Sequence, residues 1–150
     1  MGETVKGSLI GTYVHNVDEK GRLAVPSKMR AELGEPFYIT CLSNNYLSVY
    51  SEEEWLKFTE KLNAIPQSDE KAQRYVRVIS ANACKCEPDK QGRVLLPQLL
   101  REKVGIEKEV VTIGASNRVE IWAKDKWQKF IDEEPATENN VMAGLAAYGI

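Results

Sequence analysis

The chain has 150 residues, 43% of them hydrophobic and 28% charged, with a formal net charge of −2. That length allows one domain or two small ones, and the composition is that of an ordinary globular protein. No apolar run approaches the ~20 residues of a membrane span. The opening MGETVKGSLIGTYVHNV lacks the basic start and apolar stretch of a secretory signal. Three cysteines, an odd number, argue against a disulfide scaffold and fit a reducing cytoplasm.

Residues 8–17, SLIGTYVHNV, read as a first strand with Gly11 as a candidate bulge. Asp18, Gly21 and Arg22 follow in DEKGR. Asp at the first turn position accepts backbone hydrogen bonds and Gly tolerates positive φ, so these residues predict a tight turn. Apolar residues on both sides make it a hairpin. Leu23-Ala24-Val25 continues as a short, fully apolar strand. Pro26 ends it and suits the first turn of a short helix with Met29 and Leu33 on one face. Gly34 stands where a helix C-cap needs a left-handed residue. A second hairpin is predicted from Phe37–Thr40 and Leu47–Tyr50 about Ser43-Asn44-Asn45. Ser51 is a good N-cap, Glu54 completes a capping box, and Trp55, Phe58, Thr59 and Leu62 form the apolar stripe of the helix. Pro66 stops it. Ser68-Asp69-Glu70 starts another helix, expected to turn Tyr75, Val76 and Ile79 inward.

The chain then begins again. Residues 81–88, ANACKCEP, return to a strand. Residues 89–105, DKQGRVLLPQLLREKVG, repeat residues 18–34, DEKGRLAVPSKMRAELG, at an offset of 71, with six of 17 positions identical. The identities are Asp18/Asp89, Gly21/Gly92, Arg22/Arg93, Pro26/Pro97, Arg30/Arg101 and Gly34/Gly105. At an offset of 72, Phe37–Thr40 matches Glu109–Thr112, Leu47–Tyr50 matches Val119–Trp122, and Trp55–Phe58 matches Trp127–Phe130. A helix from about Asp125 to Glu134 ends before Pro135. The tail after it is expected to be partly ordered, with Val141, Met142, Leu145 and Tyr148 able to pack on a neighbour. The division is therefore a first repeat at 8–58, a helical connector at 59–80, a second repeat at 81–131 and a tail at 132–150. An internal repeat outranks single-residue motifs as a guide to architecture. Neither half is large enough to bury a full core alone. They are expected to superpose about an approximate two-fold axis with their hairpins interleaved.

Catalytic and metal chemistry find little support. His15 is the only histidine and reads as a satisfied polar residue on a strand. Cys84 and Cys86 share a strand face, but a four-ligand zinc site would need both of them together with Cys41 and His15, so two small core residues are the better reading. The sequence has no phosphate loop, dinucleotide fingerprint or nucleophile elbow. Neither an enzyme nor a cofactor is expected. The tryptophans read as core anchors.

Charge distribution is more informative than net charge. Residues 18–30 and 89–103 each carry a net +2, whereas residues 107–138 carry −3. Lys20, Arg22, Lys90 and Arg93 lie on or beside the turn tips. DNA binding needs cations that reach phosphates, and a hairpin tip can enter the major groove, where Arg pairs bidentately with guanine. Arg22 and Arg93 equally suit internal pairing with Asp18 and Asp89. Those aspartates, with Gly21 and Gly92, read as turn-structural. Lys28 and Arg30, with Arg101 and Lys103, read as phosphate contacts or solvated helix faces. Of these, Lys28 joins the candidate DNA contacts.

Two copies of a turn reading Asp-x-x-Gly-Arg, each followed by apolar-Pro and a short Arg-bearing helix, resemble the MraZ family of bacterial transcription regulators. The resemblance covers about residues 9–131 and includes Gly11-Thr12-Tyr13 and Glu120-Ile121-Trp122. A single copy would indicate only the wider AbrB-like group. The resemblance implies an α+β, mainly β fold: two tandem AbrB-like β-hairpin/short-helix repeats forming a pseudo-two-fold swapped-hairpin barrel with flanking helices. It implies homo-oligomeric rings on double-stranded DNA, binding short direct repeats upstream of the division and cell-wall gene cluster, including the regulator's own promoter. Carried onto this sequence, the family's Asp-x-x-x-Arg pairs are Asp18 with Arg22 and Asp89 with Arg93. A repressor in the cytoplasm, associated with the nucleoid, is the leading expectation. The alternative is an assembly or antitoxin-like module whose main partner is another protein. Residues 1–8 and the tail after Pro135 match nothing in the family pattern.

Overall fold

The computed structural model describes residues 8–133 and 138–150, so expectations for residues 1–7 and 134–137 lie outside the described residues. The first half contains β1 (Thr12–Asn16), β2 (Arg22–Ala24), α1 (Ser27–Leu33), β3 (Phe37–Thr40) and β4 (Tyr46–Ser51). The helices α2 (Glu52–Asn63) and α3 (Glu70–Ala81) follow. The second half repeats the series as β5 (Cys84–Cys86), β6 (Arg93–Leu95), α4 (Gln98–Lys103), β7 (Glu109–Gly114) and β8 (Val119–Ala123). After it come α5 (Lys124–Glu133) and α6 (Glu138–Ala146).

The tight turns form as the sequence predicts, yet they do not close hairpins within a half. Gly21 N–H donates to Asp18 O at 3.0 Å and Asp18 N–H to Arg22 O at 2.9 Å. From that turn the two strands diverge. β1 pairs antiparallel with β7, and β2 with β6, both in the other half. The second half reciprocates, since β5 pairs with β3. Three-residue strands bury too little to stabilise a local hairpin. Their partners lie across the repeat, where Leu23 and Val94 meet in register and are both buried. Among the described residues only β3–β4 and β7–β8 are hairpins of the ordinary kind.

Six strands form one sheet in the order β1-β7-β8-β4-β3-β5, and β2-β6 is a separate ladder. Reading the six-strand order backwards while exchanging the halves returns the same order. The pairing scheme is thus two-fold symmetric and interleaved. The barrel implied by the resemblance is not closed by strand pairing, because β1 and β5 are the outer strands of an open sheet. The β2 and β6 strands begin one residue earlier than predicted and are not wholly apolar in environment: Ala24 and Leu95 face outward, Leu95 at 61% exposure.

One core serves both halves. Leu23, Met29, Leu33, Phe37, Ile39 and Leu47 from the first pack with Val94, Leu96, Leu100, Val104, Val110 and Ile121 from the second. Gly34 and Gly105 end the short helices with φ of 71° and 73°. The repeat extends to the aromatic residues. Trp55 stacks on Tyr38 at 5.3 Å, beside Tyr50 and Phe58. Trp127 meets Trp122 edge-on at 5.2 Å, beside Phe130. Ser51 caps α2 by accepting the Glu54 N–H at 3.2 Å. Tyr75, expected to face inward from α3, is 57% exposed, while Val76 and Ile79 are half-buried. α3 meets the body through one side only, where Thr40 Oγ1 donates to Ile79 O. The tail is helical over α6, with Val141, Met142 and Tyr148 exposed.

Candidate nucleic-acid interface

Both turns are built around a carboxylate. Asp18 Oδ1 accepts the backbone N–H groups of Lys20 (2.9 Å) and Arg22 (2.8 Å), and Oδ2 accepts Arg22 Nε at 2.8 Å. Asp89 does the same with Gln91 N, Arg93 N and Arg93 Nε, each at 2.9 Å. Bonds of this kind favour the ionised form. The Arg22 backbone N–H foremost, then the Arg22 side chain and the Lys20 N–H, hold the Asp18 carboxyl below its ordinary range. The Arg93 backbone and side chain, then the Gln91 N–H, do so for Asp89. The two roles open to the arginines are therefore compatible in geometry. Nε fixes the side chain to its turn, and among the described residues the Nη1 and Nη2 donors of Arg22 and Arg93 have no hydrogen-bond partner.

The β2–β6 ladder sets where these donors stand. Arg22 opposes Leu95, and Ala24 opposes Arg93. Opposed residues share a face and alternate residues return to it. Arg22, Ala24, Arg93 and Leu95 therefore form the outward face of a two-stranded ribbon, with Leu23 and Val94 beneath. The two arginines are diagonal neighbours, a relation that places them roughly 7–8 Å apart. Lys20 and Lys90 are exposed on the turns that flank them. They do not occupy equivalent positions: by the repeat register Lys20 matches Gln91, and Lys90 matches Glu19.

Of the predicted contacts, Lys20, Arg22 and Arg93 come together along one cavity of about 540 Å³. Lys28, exposed on α1, lines a different one of about 530 Å³ beside Leu9, Ile10 and Glu32. Of the two readings of Arg30 and Arg101, phosphate contacts or solvated helix faces, the solvated face needs correction. Both are half-buried, and each reaches across the repeat to the opposite turn. A Cβ added at Gly21 would lie 2.9 Å from Arg101 Nη2, and one added at Gly92 would overlap Arg30 Nη1. Arg101 Nε also donates to Leu96 O at 2.9 Å. The glycines thus serve twice, for φ of 80° and 77° and for the space an arginine occupies. The sequence signal was the identity of Arg30 and Arg101 in the repeat. It marks a shared role without saying where either side chain goes.

His15 and the two cysteines of β5 sit at or beside the core. His15 Nε2 lies 2.7 Å from Thr112 Oγ1, and burial holds its pKa below the ordinary value. Burial, and then the neighbouring Cys84, push the Cys86 thiol up to about 12, and burial raises Cys84. Protonated thiols are poor nucleophiles and metal ligands. Among the described residues no cluster of three or more His, Cys, Asp or Glu is placed to hold a metal ion, and no helix is long and apolar enough to cross a membrane.

Comparison with known proteins agrees with this doubled architecture. The family model described as "MraZ protein, putative antitoxin-like" matches twice, over residues 9–78 and 79–145. A protein of Caldicellulosiruptor bescii, named transcriptional regulator MraZ, is 46% identical over 142 residues, 95% of this chain and 99% of its own length. Proteins with the same name from Acetivibrio thermocellus and Halothermothrix orenii are 44% and 39% identical. They cover 93% and 94% of this chain, and 98% and 99% of their own. Two matches that together span most of the chain, and relatives alike along nearly their whole length, place this chain in the MraZ family.

Proposed function

We propose that the protein is a sequence-specific DNA-binding transcriptional regulator. It represses the division and cell-wall gene cluster that includes its own promoter, and it acts in the cytoplasm, associated with the nucleoid. The observation that carries the reading is the β2–β6 ribbon, with two arginines held at Nε and, among the described residues, without a partner at Nη on its outward face. A two-stranded ribbon fits the major groove, and arginine offers a fork to guanine or phosphate. Arg22 and Arg93 read bases, while Lys20, Lys90 and Lys28 contact phosphates. The name shared by the relatives supports the regulatory role. Interleaved ladders support a swapped-hairpin barrel in which 8–58 and 81–131 are the repeats, 59–80 the connector and 132–150 an appended tail. Copies assemble as a closed homo-oligomer, since repeated head-to-tail contacts either close or make filaments. Exposed Leu56, Tyr75, Val78 and Phe130 offer apolar surface for those contacts. The same surface favours the second reading, a module whose main partner is another protein.

The test is a gel-shift titration with the protein's own promoter fragment, set beside light scattering. Losing one base contact costs about 1–3 kcal/mol, and the loss recurs at every bound box. Arg22→Ala is therefore expected to lose nearly all binding to a multi-box promoter at unchanged oligomer mass. The Asp18 pair is about one-third exposed, where solvent screens an ion pair, so the melting temperature should hardly move. Wild-type affinity in Arg22→Ala refutes the DNA-contact role. A monomer mass refutes the oligomer.

A further inference from the structure

The repeat symmetry is broken on one side of the ribbon. The cavity of about 540 Å³ lies between β5 and the β2–β6 ladder, and β5 is an outer strand of its sheet. Its lining carries the cations Lys20, Arg22, Lys85 and Arg93 against the carboxylates Glu87 and Asp89. Arg93 Nε engages Asp89 at 2.9 Å and Arg22 Nε engages Asp18 at 2.8 Å, which leaves Lys20 and Lys85 against Glu87, a net of one positive charge. Cys84, Val94 and Leu95 add an apolar wall. In the first half, 71 residues earlier, Tyr13 and Val14 stand where the second half has Cys84 and Lys85. Tyr13 is half-buried and packs against the core. A thiol stands in place of a phenol ring, and a lysine in place of valine adds charge. Both changes fall on the same cavity.

We propose that this cavity binds a small organophosphate, a ligand with two or more phosphate charges and a compact apolar or aromatic body, and that bound ligand displaces DNA. The volume lies within the roughly 300–1,000 Å³ of small-molecule sites. Arginine forks match phosphate oxygens, lysine adds point charge, and the apolar wall receives the ligand body. Arg22 and Arg93 belong to both cavity and ribbon, so a ligand phosphate and a DNA phosphate or base compete for the same donors. The displacement rests on the DNA-contact role of those arginines, whereas the anion site stands without it.

Calorimetric titration of the full-length protein with ADP and with pyrophosphate, at constant ionic strength and without DNA, tests the site. Saturable ADP binding is expected, tighter than that of pyrophosphate, weakened at least fivefold in Lys85→Ala and lost in Cys84→Tyr. Lys85 is exposed on an edge strand, so its variant remains decisive if Cys84→Tyr fails to fold. Absence of saturable binding, or equal binding by wild type and Lys85→Ala, overturns the site. Pyrophosphate binding as tightly as ADP overturns the apolar body. In a second arm, ADP is expected to weaken the wild type's promoter binding about tenfold and that of Lys85→Ala much less. Sodium chloride at matched ionic strength producing the same loss overturns displacement. Protein that binds ADP but never the promoter refutes the DNA role and leaves the anion site standing.

Discussion

Replacing Gly92 by Ala, with and without Arg30, measures how one half braces the other. The Gly92 φ is 77°, and left-handed backbone costs an L-residue about 1–2 kcal/mol. The new Cβ would also overlap the Arg30 guanidinium. Because that group ends a flexible side chain it can swing away, at the loss of its seat on the turn. In an Arg30→Ala background the overlap disappears and only the backbone strain is left. A chain of this size loses about 2–4 °C of melting temperature per kcal/mol, so Gly92→Ala should cost about 2–8 °C in that background. With Arg30 present it should cost more, because residues in contact couple by about 0.5–3 kcal/mol. Thermal melts and urea titrations of the four proteins in the cycle give the coupling directly. Equal cost in the two backgrounds would show that Arg30 does not rest on the Gly92 turn. The matching cycle with Gly21 and Arg101 should give a smaller coupling, because the 2.9 Å approach there is milder.

Leu96 is fully buried in the shared core, so Leu96→Ala should cost about 2–5 kcal/mol and lower the urea midpoint in a single transition of both halves. Ser51→Ala removes the α2 cap that accepts the Glu54 N–H, and about 1 kcal/mol of stability should go with it. Asp18 and Asp89 have folded-state pKa values below the ordinary 3.8. Their contribution is therefore complete above that value and is lost as pH falls through it towards the lower folded values. The urea midpoint of the wild type should drop between neutral pH and pH about 3 more steeply than that of the Asp18→Asn/Asp89→Asn variant.

Local chemistry was legible from the sequence wherever it decides local structure. Asp18 and Gly21 specify their turn through their own side chain and backbone, Gly34 specifies a helix end, and Ser51 specifies a helix start. The repeat register placed equivalent aromatic residues, Trp55 and Trp127, in equivalent positions. Partner choice was not legible. A three-residue strand such as Arg22–Ala24 has a period but no address, and it gains as much from β6 as from a neighbour across its own turn. Tyr75 fits a helical stripe as well as Val76 does, but α3 touches the body along too narrow a line to cover both. Arg30 and Arg101 had the signature of surface helix residues because the turn glycines that receive them are in the opposite half. The turn residues and their local Asp–Arg pairing were thus legible, whereas the seats of Arg30 and Arg101 on the opposite turns, which are long-range, were not.

The ribbon is a two-fold object made by a single chain, and this separates its symmetry from its inheritance. In a homodimer one substitution alters both arms at once. Here Glu19 and Lys90 stand at matching places on the two tips, as do Lys20 and Gln91, and each can change while its counterpart stays fixed. The backbone keeps the balance of a dimer, and the side chains are free to tell left from right.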